Sequence, residues 1–168
     1  MIPDLYRIVD CDAGFLAIMP RPGPDEWLRA EIAELGKMGV TTLVSLLEAR
    51  EEHELSLTAE AEIAVANGIE FVSYPIEDRT VPLELDSFTN LISGLADRVL
   101  DGHGVAIHCR AGIGRSGITA AAVMVRIGFE PETVFARISA VRRCAVPDTY
   151  EQTEWFIRHY RNFLTESE

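Results

Sequence analysis

Lysine is almost absent from this chain: Lys37 is the only one, and the remaining cations are arginines. That excludes the nucleoside-triphosphate loop G-x-x-x-x-G-K-[ST], which needs a lysine in its glycine-rich turn. Cysteine is sparse and odd in number. Cys11, Cys109 and Cys144 build no disulfide framework and point to a reducing, cytoplasmic setting. His53, His103, His108 and His159 are scattered, and no Cys/His cluster has zinc spacing, so neither a metal nor another cofactor is expected. No apolar run approaches the ~20 residues of a membrane span, and the N-terminus lacks the basic-then-apolar pattern of a secretory signal. No membrane insertion is expected. Positive charge is also in deficit, with 15 Lys and Arg against 27 Asp and Glu for a net charge of −12. Nucleic acid and anionic membranes are therefore poor partners for a large surface, and an anionic substrate would need a local positive pocket.

What is present is one globular domain. Its 168 residues are 48% hydrophobic and 25% charged, enough for one core and too few for two. The whole span 1–168 reads as a single domain that opens with a strand-and-loop segment over 1–24. Short apolar runs at Phe15–Met19, Thr41–Leu47, Ile69–Tyr74 and Gly104–His108 predict strands. Helical spacing runs over Asp25–Met38, counting Trp27, Ile32 and Leu35 as its buried stripe, then over Glu48–Asn67, Leu83–Leu100, Ser116–Ile127, Pro131–Arg142 and Thr149–Leu164. Trp155 and Phe156 read as core. Strands alternating with helices predict an α/β fold: a central, mostly parallel sheet flanked by helices on both faces. Ligands in such sheets bind beyond the carboxyl ends of the strands.

One such end carries HCRAGIGRSG, His108 to Gly117. Its second half is G-x-G-x-x-G, as in dinucleotide-binding folds. That fold requires a strand after the following helix, with an acid about 20 residues on; here Gly128-Phe-Glu-Pro131 leads into another helix. The alternative uses every residue. A cysteine in a tight loop between a strand and a helix N-terminus meets converging N–H groups and the helix dipole, which pull a thiol below its free pKa of about 8.5. Gly112 and Gly114 let the backbone amides of Arg110, Ala111, Gly112, Ile113, Gly114 and Arg115 curl around three phosphoryl oxygens. Arg115 offers a planar fork to two of them. Ser116 can donate a hydrogen bond to the sulfur, and His108 reads as a buried scaffold residue.

H-C-x5-R-S resembles the phosphate-binding loop of the protein tyrosine phosphatase superfamily. The resemblance covers roughly 40–163 and implies a phosphocysteine route with Cys109 as nucleophile. Such a route needs a proton donor for the departing oxygen and a base for water. In the superfamily this is an aspartate on a loop after a strand. Asp78, 31 residues before Cys109 within Tyr74-Pro-Ile-Glu-Asp-Arg-Thr-Val-Pro82, takes that place, with Glu77 as the other acid. The P-I-x-D pattern is similar to the small dual-specificity phosphatases. Gln152, three residues after Thr149, matches the glutamine that positions the hydrolytic water, and Arg142 or Arg143 could reach a second anionic group. The expected substrate is a phosphorylated protein or a small phosphomonoester: phosphotyrosine first, with phosphoserine and phosphothreonine open to a shallow pocket. Inositol phosphates or phospholipids, RNA 5′ ends, and a non-catalytic phosphate-binding module remain as alternatives.

Overall fold

The apolar runs pair into one five-stranded sheet in a computed structural model that describes residues 2–165. The strands are β1 (Tyr6–Cys11), β2 (Gly14–Met19), β3 (Val40–Ser45), β4 (Glu70–Ser73) and β5 (Gly104–His108), in the order β1-β2-β5-β3-β4. All neighbours are parallel except β1, which pairs antiparallel with β2 as a hairpin edge. This is the expected α/β architecture. The helices are α1 (Glu26–Lys37), α2 (Ala49–Glu54), α3 (Glu60–Ala66), α4 (Leu85–Leu100), α5 (Arg115–Arg126), α6 (Val134–Arg142) and α7 (Tyr150–His159), with a 3₁₀ turn at Tyr160–Phe163. None of them is long and apolar enough to cross a membrane.

Strand period 2 divides the core into two layers. Leu16, Ile18, Val105 and Ile107 face Phe88, Ile92, Leu95, Phe156 and Phe163, together with the apolar run of α5. Phe15, Ala17, Met19 and Ala106 face Leu28, Ile32 and Leu35 of α1 and Ile63 of α3. Burying a large apolar side chain completely stabilises the fold by about 1.5–3 kcal/mol, so both layers clamp the sheet. Within the first layer, α5 packs against α4, α6 and α7 and is buried from Arg115 through Val125. Its N-terminus therefore sits on a rigid mount.

Two expectations need correction, and one strand was not delimited in the sequence. Trp27, counted in the buried stripe of α1, is 47% exposed; Leu28 takes the inward place. Strand β1 lies in the N-terminal segment, yet only Val9 of it is buried, so a hydrophobic pattern could not delimit it. The single helix expected over Glu48–Asn67 is two. Ser56 adopts a left-handed conformation (φ 57°), and Leu57 turns into the second core layer. On one continuous helix, residues 51 and 60 would lie about 180° apart. The break lets both point toward the end of β5, and both are used there.

The order of strands prepares a site. After β4 the chain returns through α4 to insert β5 between β2 and β3. The carboxyl ends of four parallel strands then converge where β5 passes into α5, as open α/β sheets allow.

Candidate active site

Cys109 follows β5 directly and is 3% exposed. Each neighbouring strand sends its following segment against it. Arg21 N donates to Arg110 O (3.2 Å), Leu46 N to His108 O (3.0 Å) and Ile76 N to Leu46 O (3.0 Å). The turn itself rests on Gly112, whose φ is +71°; a Cβ there would lie 2.5 Å from the carbonyl carbon of Met19. No other residue fits. The Pro20–Pro24 segment, to which the sequence assigned no role, is thus the wall behind the loop. Gly114 begins α5, so the loop closes on a helix N-terminus, where unpaired N–H groups favour an anion.

The carbonyls of the loop turn outward and are held there by Arg142. Its Nε donates to Gly112 O (3.0 Å) and its Nη2 to Ala111 O (2.9 Å), while its guanidinium stacks 4.3 Å from the Tyr6 ring centroid. Arg142 is committed behind the loop, which corrects its expected reach toward a second anion. Turning carbonyls outward leaves N–H groups for the inside.

Arg115 is the largest fully buried side chain, and its guanidinium is almost wholly spoken for. Nη1 donates to Glu51 Oε2 (2.7 Å) and Ile76 O (2.8 Å); Nη2 donates to Glu51 Oε1 (2.9 Å) and Asp78 Oδ1 (2.9 Å). Nε is buried and has no partner among the described residues. Asp78 thus meets Arg115 beside the loop, on a segment whose carbonyl at Ile76 also binds Arg115. Arg110 lies 3.5 Å from Glu51 and 3.9 Å from Asp78. Glu77 is exposed.

Gln152 is fully buried. Its Oε1 accepts from Asp148 N and Thr149 N, and its Nε2 donates to Thr80 O (3.1 Å). Its amide also packs where a Cβ on Gly114 would stand, 2.9 Å away. With the Arg79–Asp148 ion pair (2.8 Å), it ties the segment bearing Asp78 to the start of α7. Ser116 Oγ is fully buried and has no hydrogen-bond partner among the described residues. The expected bond to the sulfur is therefore not made in this arrangement.

Two carboxylates were missed by sequence reasoning. Glu51 closes a capping box at the start of α2, its side chain accepting from Glu48 N (2.9 Å). It grips Arg115 with both oxygens. Burial pushes its carboxyl up, but the Arg115 and Glu48 hydrogen bonds and the charges of Arg115 and Arg110 outweigh that and hold it below its ordinary value. Glu60 lies on α3, fully buried against His108. The Glu-x-x-Glu spacing at 48–51 is the one sequence signal for the first; nothing marks the second.

A pH dependence follows from Glu51. A depressed carboxyl contributes stability that is complete above its unfolded value of about 4.3 and is lost as pH falls through the lower folded value. Urea midpoints measured from pH 6 down to pH 3 should fall in the native protein. Glu51→Gln should start lower and show a shallower fall. Parallel slopes in the two proteins would remove Glu51 from the acid response.

The Tc-R-P family, described as "Polymorphic toxin system, DSP-PTPase phosphatase", matches residues 17–129. Protein tyrosine phosphatase type IVA 2 of Mus musculus is 32% identical over 114 residues, 67% of this chain and 63% of that protein. The match thus spans less than two thirds of the length of that curated relative. Among solved structures, kinase associated phosphatase with its catalytic-site cysteine substituted by serine aligns at a TM-score of 0.86 and 19% identity, over 98% of this chain and 97% of the other. Tk-PTP in its active form aligns at 0.77 and 25% identity, over 95% and 97%.

Proposed function

The chain belongs to the DSP-PTPase phosphatases of the protein tyrosine phosphatase superfamily, hydrolases of phosphoric monoesters, and from that premise we propose that it dephosphorylates phosphotyrosine in proteins through a phosphocysteine intermediate. The observation that carries this reading is the hydrogen bond from Arg115 to Asp78 (2.9 Å). It brings a carboxyl group, 31 residues earlier in the chain, onto the loop that holds Cys109.

In the first step the Cys109 sulfur attacks phosphorus. The S–P bond forms as the bond to the leaving oxygen breaks, and Asp78 gives that oxygen its proton. Charge on the three equatorial oxygens meets the amides of Arg110 to Arg115 and the Arg115 guanidinium, already fixed before the reaction. In the second step Asp78, now a carboxylate, takes a proton from water as the water attacks phosphorus. The S–P bond breaks and inorganic phosphate leaves. Ser116 can turn its unpartnered hydroxyl to the departing sulfur. Gln152 gives one Nε2 proton to Thr80 O and has a second with which it can hold the water.

The surroundings bear on the substrate. Glu48, Glu77 and Glu84 line a recess beside the Asp78 segment, and Arg110 faces Glu51, Glu54 and Asp78. Within a net charge of −12, these carboxylates oppose a polyanionic ligand such as an inositol polyphosphate. They favour a single phosphate on a neutral or basic peptide; domain 1–168 as a whole is the unit we assign to this activity.

The test is an acid quench during turnover of an aryl phosphate, followed by mapping of the phosphoryl group. It should be found on Cys109. Asp78→Asn should slow esters with poor leaving groups about 10²-fold or more and aryl esters with good leaving groups much less. Equal slowing of both classes would exclude Asp78 as the proton donor.

A further inference from the structure

The turn that carries Asp78 is strained at the residue beside it. Glu77 to Thr80 closes with Thr80 N donating to Glu77 O (3.1 Å) and Thr80 Oγ1 donating to the same oxygen (2.7 Å). The third residue of the turn, Arg79, takes a left-handed conformation (φ 64°), where a turn ordinarily places glycine or asparagine. Such a conformation persists where its surroundings over-determine it. At Arg79 they do so through Asp148: Nη1 donates to Oδ2 at 2.8 Å, between residues far apart in the chain.

Asp148 is itself fixed against the phosphate loop. Its N–H donates to Gln152 Oε1 (3.1 Å), and its Cβ lies 3.1 Å from where a Cβ on Gly114 would stand. Gly114 is the last residue of the loop before α5. A line of contacts therefore runs from the end of the loop through Asp148 and Arg79 to the residue adjoining Asp78. The two side chains are 65% and 41% exposed, so their ion pair adds little to folding stability. A strained backbone kept for a bond that hardly stabilises the fold points to a use in placing the turn.

The need arises during the reaction. At rest Asp78 is held by Nη2 of Arg115. In the reaction proposed above, the phosphoryl group takes that donor and the Asp78 side chain loses its partner. Its place then depends on ties of the turn that phosphate does not displace: Gln152 Nε2 to Thr80 O (3.1 Å), and Arg79 to Asp148. We propose, on the reading of Asp78 as the proton donor and as a deepening of it, that Arg79 is a positioning residue whose ion pair with Asp148 fixes the acid against the end of the phosphate loop.

Two variants break the pair from opposite sides. Arg79→Gly removes the bond and relieves the backbone; Asp148→Ala removes it and leaves residues 77–80 intact. Each should lower kcat for phenyl phosphate, a poor leaving group, about tenfold, and for p-nitrophenyl phosphate less than about twofold, with little change in KM. The double variant should be no slower than either single one. Arg79→Lys, whose ammonium can still meet Asp148, should recover most of the loss. A merely structural turn gives the opposite result for Arg79→Gly: glycine suits φ 64°, so both esters would turn over as in the native protein. Native leaving-group dependence in the single variants, or effects that multiply in the double variant, would overturn the proposal. Amide exchange in the substrate-free protein separates it from the proposed function. The Thr80 N–H should exchange about fivefold faster or more in Asp148→Ala, and an unchanged Thr80 amide overturns the positioning role whatever the reaction. Equal slowing of both esters by Asp78→Asn, with a faster Thr80 amide in Asp148→Ala, removes Asp78 as the donor and leaves the tie that holds its turn standing.

Discussion

Cys109→Ser is expected to lower turnover of an aryl phosphate by at least about 10⁴-fold while phosphate binding persists. The two halves have separate causes. Turnover needs the sulfur at the end of β5 as nucleophile, and a serine hydroxyl in the same buried place is a far weaker nucleophile at its free pKa than a thiol. Binding needs the curled backbone at Gly112, the N-terminus of α5 and Arg115, none of which is built from the sulfur. Turnover of a chromogenic aryl phosphate gives the first number, and a thermal shift with inorganic phosphate gives the second. Turnover within tenfold of the native protein would exclude Cys109 as the nucleophile. Loss of phosphate binding as well would mean that the cradle depends on the cysteine, contrary to the backbone contacts at Gly112 and Arg142.

The parts of this site that were legible in the sequence are those whose chemistry is local. Cys109, the glycines and Arg115 fall within one turn between a strand and a helix, so spacing alone reports their geometry. Asp78 was named only through the resemblance, by its place on the loop after a strand; the sheet brings that loop to Arg115 because parallel strands end at the same level. The parallel sheet was legible because its strands are buried on both faces and read as continuous apolar runs. Glu51 and Glu60 were not legible, since Ala49–Glu54 and Glu60–Ala66 present a crowd of glutamates without a periodic cue. Only the turn at Ser56 and Leu57 decides which carboxyl meets which base. Arg142 was misjudged because its ring partner, Tyr6, comes from the edge strand β1, whose exposed pattern gave no boundary. Gln152 was matched to a water-positioning glutamine. The structure holds it as the clasp between Thr80 and the start of α7.

Arg115→Lys is the second large effect, and its size follows from the allocation of five N–H donors. The two end-facing donors, one on each Nη, hold the two oxygens of Glu51. The second proton of Nη1 holds Ile76 O. That leaves the side-facing pair, Nε–H and the remaining Nη2–H, which point in one direction as a fork. Nε has no partner among the described residues, and Nη2 is lent to Asp78. In the reaction proposed above, an arriving phosphoryl group takes both, matching two of its oxygens, and releases Asp78 to face the leaving atom. On that proposal one guanidinium anchors to Glu51 and binds phosphate at once. A lysine has a single ammonium and cannot do both. Either the Glu51 carboxylate is left buried without its bidentate partner, or the phosphate loses its fork. We expect kcat/KM to fall about 10³-fold and inorganic phosphate to inhibit far more weakly than it does the native protein. The melting temperature should be measured alongside, because loss of the Glu51 partner also destabilises the fold. A folded Arg115→Lys protein within tenfold of native kcat/KM would show that a point charge suffices at the loop, and the fork would lose its place in the mechanism.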